Sequence, residues 1–164
     1  MGEIDINKLW QNFLDTVTNH YMDFDGRVGR AQFWYYVLVT FVLGLAVGIV
    51  ASFTLHVLST LFSLALLLPN LGMTVRRLHD TGKPGMWALL LAVPVCLAIL
   101  FGFLAIVGGA LGFLALLLVF GSLIWLASLV ALAVLIYFCA QPGTPGDNAY
   151  GPPPPVWTPG AATA

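Results

Sequence analysis

Charge is what this sequence has least of. Only 8% of its 164 residues are Asp, Glu, Lys or Arg, and none of these falls between Ala31 and Val75 or between Pro84 and Gly146. With 60% hydrophobic residues and a mean hydropathy of +0.95, an ordinary water-soluble domain is excluded, and the bilayer must be part of the solvent. Six Lys and Arg against seven Asp and Glu leave a net charge of -1, so there is no basic field to attract nucleic acid. Cysteine is scarce as well. Cys96 and Cys139 are expected at unequal depths in apolar segments, which argues against a disulfide, and no C-x-x-C or Cys/His spacing suggests a metal site. H-E-x-x-H, G-x-S-x-G and Walker motifs are missing, so neither catalytic residues nor a cofactor are expected. Residues 1 to 30 hold no continuous apolar run, and the first such run is too long and too late for a cleaved signal peptide. The first span is expected to stay in the mature protein.

What is present is an all-α pattern. From Asn7 to Tyr21, Trp10, Phe13, Leu14, Val17 and Tyr21 recur at helical spacing, which predicts a short amphipathic helix lying on the membrane surface or on the protein's own loops. Asp25-Gly26 marks a turn, with Asp25 placed to cap the helix that follows. Arg27, Arg30 and Trp34 then share a face, so both arginines would meet the headgroup layer. The aromatic run Phe33 to Tyr36 suits the interface. From there to Met73 the apolar stretch is long enough for two spans, with a turn near Ser52 to Thr60. Thr40, Gly44, Gly48 and Ser52 form a small-residue stripe, expected to pack within the chain in preference to forming a homo-oligomer. Pro69-Asn70 reads as a tolerated kink rather than a permeation site.

Trp87 to Phe138 predicts two further helices, about Trp87 to Val107 and Gly112 to Phe138, turning at Gly108-Gly109. The expected architecture is an integral membrane bundle of four transmembrane helices with a short N-terminal amphipathic surface helix. Residues 1–32 would form the helix and turn, 33–140 the transmembrane domain with a loop at 74–86, and 141–164 a Pro/Gly-rich tail, disordered after about 152. Four spans put Lys8, Arg27, Arg30, Arg76, Arg77 and Lys83 on one side, which the positive-inside rule makes cytoplasmic. Both termini would lie there. In the tail, Pro152 to Pro155 favours polyproline II and could serve as a ligand for an aromatic groove.

The chemistry available is confined to that face. Arg27, Arg30, Arg76, Arg77 and Lys83 can converge with Asp23, Asp25, Asp80 and Asp147 at the mouth of the bundle. Arginine–carboxylate pairs would lock helix ends there, and the same guanidinium forks suit phosphate or an anionic lipid headgroup. Asp25 and Asp80 would position the arginines, and Gly26 and Gly82 would permit the turns. His79 and its neighbour Asp80 would point apart. His79 could meet Asp23 or Asp25 across the bundle, a contact that could tune its pKa into a proton-linked range, but a hydrogen-bonded structural histidine is the preferred reading. Ser52 and His56 share a face as nucleophile and base, but no acid lies near to orient the histidine.

These residues carry a resemblance. Phe24-Asp25-Gly26-Arg27 with Arg30 and Phe33-Trp34, then Arg76 to Lys83 with Gly85, then Pro142 to Gly146 with Asn148 and Tyr150-Gly151, resemble in order the signature blocks of the Domain of Unknown Function 805 family, YhaH-like small bacterial inner-membrane proteins. The resemblance covers about Phe13 to Pro152 and implies a multi-pass helical fold in the bacterial cytoplasmic membrane. It implies no mechanism. The function expected from the residues is a non-enzymatic module that binds membrane lipid, anionic lipid included, or an unknown protein partner through its arginine-rich face. The alternative is a small solute transporter or channel acting as an oligomer, and nucleic acid is not an expected partner.

Overall fold

The computed structural model describes residues 5–53, 57–92, 96–97, 103 and 121–157. The chain forms two compact units, one of residues 1–85 with 141–164 and one of residues 86–140. The turn at 54–56, His56 with its proposed partnership to Ser52, and the turn at Gly108-Gly109 lie outside the described residues. Among the described residues three helices are long and apolar enough to cross a membrane, and all regular structure is helical. The third of the four expected spans lies mostly outside them.

The first unit begins with α1, Ile6–Thr18. Asp5 caps it, its side chain accepting from the Asn7 amide at 2.9 Å, which satisfies one of the free N–H groups of the first turn. The buried face of α1 is not its most apolar one. Asn12, Phe13 and Thr16 are buried, whereas Ile6, Trp10 and Leu14, spaced by four, are exposed at 77%, 45% and 39%. α1 therefore packs sideways on the protein and keeps an apolar ridge for another surface.

Its partners are α2, Arg30–Phe53, and α3, Val57–Asp80, which run antiparallel. The Val28 amide donates to the Arg76 carbonyl at 3.2 Å, the Tyr36 hydroxyl to Asn70 Oδ1 at 2.9 Å, and Gly44 faces the Phe62 ring. The small-residue stripe thus meets α3 at Gly44, as packing within the chain requires. α1 crosses the start of this pair: Phe13 stacks on Tyr36 with centroids 5.9 Å apart, Asn12 donates to the Gln32 carbonyl, and Thr16 touches Met73. α2 opens at Arg30, with the Phe33 amide on the Gly29 carbonyl. Asp25 is thus too far upstream to cap it.

Pro69 lies inside α3 and is fully buried. Lacking an N–H, it leaves the Ala65 carbonyl without its helical donor. The Tyr21 hydroxyl supplies one at 2.7 Å. Ala65 sits roughly 12 Å along the helix from Met73 at 1.5 Å per residue, on the hydrocarbon side, where water would not substitute. Tyr36 and Asn70 close the other side of the kink, so Pro69-Asn70 is built into the packing of α2 on α3.

In the second unit, Gly85–Leu91 forms a 3₁₀ turn rather than the start of the α-helix expected from Trp87. Short 3₁₀ pieces commonly serve as such connectors. α4 is Gly121–Ala140. Ala131, Leu135 and Cys139 make its buried stripe, and Phe138 meets Trp87 edge to face at 5.2 Å. Cys96 is exposed and Cys139 buried.

Tyr21→Phe should lower stability by about 1–3 kcal/mol, the cost of leaving a carbonyl without a donor on the apolar part of α3, as read by thermal unfolding in detergent. In a Pro69→Ala background, where the backbone amide at position 69 returns, that loss should largely vanish. An equal loss in both backgrounds would assign the hydroxyl another role.

Candidate functional site

The last turns of α3, the loop before α2 and the segment Gln141–Gly151 meet in a polar head within the first unit. Gly26 and Gly82 make the turns that bring them there, with φ of 78° and 72°, a region costly for residues bearing a Cβ. The segment docks by its backbone. The Thr144 amide donates to the Asp80 carbonyl at 2.8 Å, and Asn148 and Gly151 exchange two bonds of 3.1 Å that close a tight turn.

Asp80 is the centre. Its Oδ1 accepts from Arg27 Nη2 at 2.9 Å and Nε at 3.1 Å, and its Oδ2 accepts from Arg77 Nη1. The three side chains are 4%, 1% and 0% exposed, in the order Asp80, Arg27, Arg77. Two guanidiniums on one carboxylate leave a surplus positive charge, which backbone carbonyls absorb. Arg27 donates to Thr144 and Gly146 at 2.7 Å each and to Gly151 at 3.3 Å, and Arg77 donates to Val28 and Gln141. Burying charge is tolerable only when it is paired and hydrogen-bonded, and here both conditions hold. Gly143 lies against the carboxylate so closely that a Cβ there would collide with Asp80.

A second cluster sits beneath α1. Arg76 Nη1 approaches Asp23 Oδ2 at 3.7 Å, and His20 Nδ1 lies 2.9 Å from the same oxygen. Burial alone would raise the Asp23 carboxyl, but bonds from His20 and the Asp25 amide, with the charge of Arg76, hold it below the ordinary 3.8. His79 does not meet Asp23 or Asp25. Its Nδ1 lies 3.2 Å from the Gly26 carbonyl and its ring stacks on Tyr150 at 3.8 Å, nearly parallel. A carbonyl only accepts, so Nδ1 carries the proton.

Of the residues predicted from the sequence, Arg27, Arg77, His79 and Asp80 come together, with Gly26 and Gly82 at the turns, while Arg76 lies in the second cluster with Asp23. Arg27 is buried rather than turned to the headgroups, because Asp80 and the Gln141–Gly151 segment enclose it. Asp25 and Asp147 are exposed at the surface. Arg30 is exposed and makes no ion pair among the described residues. Lys83 bonds to Gln141 Oε1 at 2.7 Å. Sequence reasoning missed Gln141, Thr144, Asn148 and Tyr150 as site residues. Pro142 to Gly151 is rich in turn-forming residues, and its place beside the two charged blocks in the resemblance is the signal that it belongs with them.

Around Asp80 both carboxylate oxygens and both guanidiniums are bonded, whereas the buried Nε of Arg76 in the second cluster has no hydrogen-bond partner among the described residues. Among the described residues no group of three or more His, Cys, Asp or Glu is arranged to hold a metal. Apolar helices long enough to cross a bilayer, joined to a charged cluster buried where α2 begins and α3 ends, define an integral membrane protein with a built polar cap. Comparison with known proteins gives the family. The profile described as protein of unknown function (DUF805) matches residues 21–152, and the chain belongs to that family. It is 31% identical over 142 residues to inner membrane protein YhaI of Escherichia coli K12, covering 85% of this chain and 92% of that one. With inner membrane protein YhaH of the same strain it shares 31% over 145 residues, 84% and 92% of the two chains. No solved structure matches. The expected membership and membrane location are thereby shown.

Asp80→Asn strips the only carboxylate from two buried guanidiniums and should cost about 3–5 kcal/mol, with new protease cleavage in Gln141–Gly151. Arg30→Ala, at an exposed position, should stay within about 0.5 kcal/mol. The Asp23 carboxyl has a folded pKa below its unfolded value, so its contribution is complete above an unfolded value near 3.8 and is lost as pH falls through the lower folded one. Asp23→Asn should therefore flatten that acid limb of the unfolding curve in detergent and, above it, lower stability by an amount that does not vary with pH.

Proposed function

We propose that the protein is a non-enzymatic, four-span membrane module with both termini in the cytoplasm, which holds the phosphate of an anionic phospholipid beside Arg30. The single observation that carries this is the division of labour among the arginines. Arg27 and Arg77 are consumed by Asp80 and backbone carbonyls, and Arg76 lies against Asp23. Arg30 alone of the arginines is left in the open, lining a cleft of about 200 Å³ with Gln32, Pro154 and Trp157. A guanidinium in such a place suits a phosphate oxygen pair, and the aromatic pair Tyr35–Trp157, 5.4 Å apart, suits headgroup depth.

Two further features support the reading. The apolar ridge Ile6, Trp10 and Leu14 of α1 is uncovered, as an interfacial helix requires. The chain leaves the polar head at Gly85 and re-enters it at Gln141, which calls for an even number of crossings between them. The permeation reading loses its residues to architecture, since Asn70 accepts from Tyr36 and Tyr21 repairs the proline kink.

Native mass spectrometry of protein released from phosphatidylglycerol/phosphatidylcholine vesicles tests this. Wild type should retain phosphatidylglycerol preferentially, and Arg30→Ala should reduce that preference about tenfold, since a charge-assisted hydrogen bond is worth about 1.5–3 kcal/mol. Equal retention by both would dismiss the site.

A further inference from the structure

The tail segment Pro152–Trp157 is not wrapped evenly by the protein. Although expected to be disordered from about 152, it lies along the start of α2 as far as Trp157. Gly151, Pro154 and Trp157 are partly covered, while Pro152, Pro153, Pro155 and Val156 are exposed, Val156 at 89%. The period is three. Polyproline II has three residues per turn and no internal hydrogen bonds, so one of its edges, through Pro154 and Trp157, is seated on the protein. Pro154 abuts Gly29 and Trp157 packs on Tyr35 at 5.4 Å. Fixed proline φ angles leave little backbone entropy to lose on docking, so these two contacts suffice to orient the segment.

The seated edge determines what the other two present. Pro152 and Pro155, at i and i+3, stand in one row facing outward, and Pro153 and Val156 form the other. A pair of prolines spaced by three on a preformed polyproline II helix is the shape that aromatic-lined grooves recognise, with side chains filling slots and exposed carbonyls accepting hydrogen bonds. Seating the helix on α2 also removes the orientational freedom that a loose tail would lose on binding. We propose that this edge is a docking surface for a protein domain with an aromatic-lined groove, presented at the membrane surface by the Pro154 and Trp157 contacts. It adjoins the Arg30 cleft, which Pro155 and Val156 also line, while Pro152 and Pro153 lie outside that lining.

The test uses the full-length protein in its native membrane, with a benzophenone amino acid placed in turn at Pro153, Pro154, Pro155 and Val156. Discrete protein adducts are expected from the outward positions 153, 155 and 156 and not from the seated position 154. Pro152→Ala should lower the Val156 adduct at least fivefold, and a peptide of residues 151–157 added to permeabilised cells should compete for it. Adducts only to phospholipid would overturn the proposal in favour of a membrane contact, and adducts only to a second copy would overturn it in favour of self-association. Equal protein adducts from all four positions, or adducts indifferent to Pro152→Ala, would mean a loose tail colliding at random. Phosphatidylglycerol retention measured on the Pro152→Ala protein should equal wild type, which separates this outcome from failure of the lipid site.

Discussion

The bond network around Asp80 is the constraint on which the first unit depends. One carboxylate holds two guanidiniums, and the surplus charge is spread over carbonyls of Val28, Gln141, Thr144, Gly146 and Gly151. Each of those carbonyls belongs to a backbone turn that the network itself fixes. In the low dielectric of a buried site such a cluster is costly unless complete. Completion requires the loop before α2, the end of α3 and the segment after α4 together. Arginine is needed because only its planar fork can bridge a carboxylate and several carbonyls at once.

The same logic of repairing a local deficit governs the membrane side. Pro69 sacrifices one helical bond, and Tyr21, reaching down from beyond the end of α1, restores a donor to Ala65. α1 is thus held by more than its buried face. Its two faces serve different media: Asn12, Phe13 and Thr16 contact α2 and α3, while Ile6, Trp10 and Leu14 stay uncovered. A single helical period cannot reveal that split, because the apolar stripe in the sequence runs through both.

Legibility in the sequence follows the same division. Long uncharged runs declared the spans α2, α3 and α4, because hydropathy is a property of composition and needs no partner. Gly26 and Gly82 were readable as turns, since a positive φ is a local demand. The charged blocks announced a polar head, but not which charge would meet which. Arg27 was placed on a helix face by its spacing to Arg30 and Trp34, whereas the helix begins only at Arg30 and Arg27 turns to Asp80. His79 found a carbonyl and a tyrosine ring instead of a carboxylate. Such pairings join residues 53 positions apart, which spacing along the chain cannot encode.

That separation along the chain has a consequence for the order of synthesis. Arg27 and Asp80 can meet once α3 has emerged, but the carbonyls of Thr144, Gly146 and Gly151 that complete the head lie up to 124 residues beyond Arg27. Until the ribosome reaches them, Arg27 and Arg77 remain incompletely satisfied cations beside the first two spans, the state in which cations resist being carried across the bilayer. The segment Gln141–Gly151, translated later, then encloses them. Charges left open early are thus withdrawn into the fold later, so the same two arginines meet water first and backbone carbonyls afterwards.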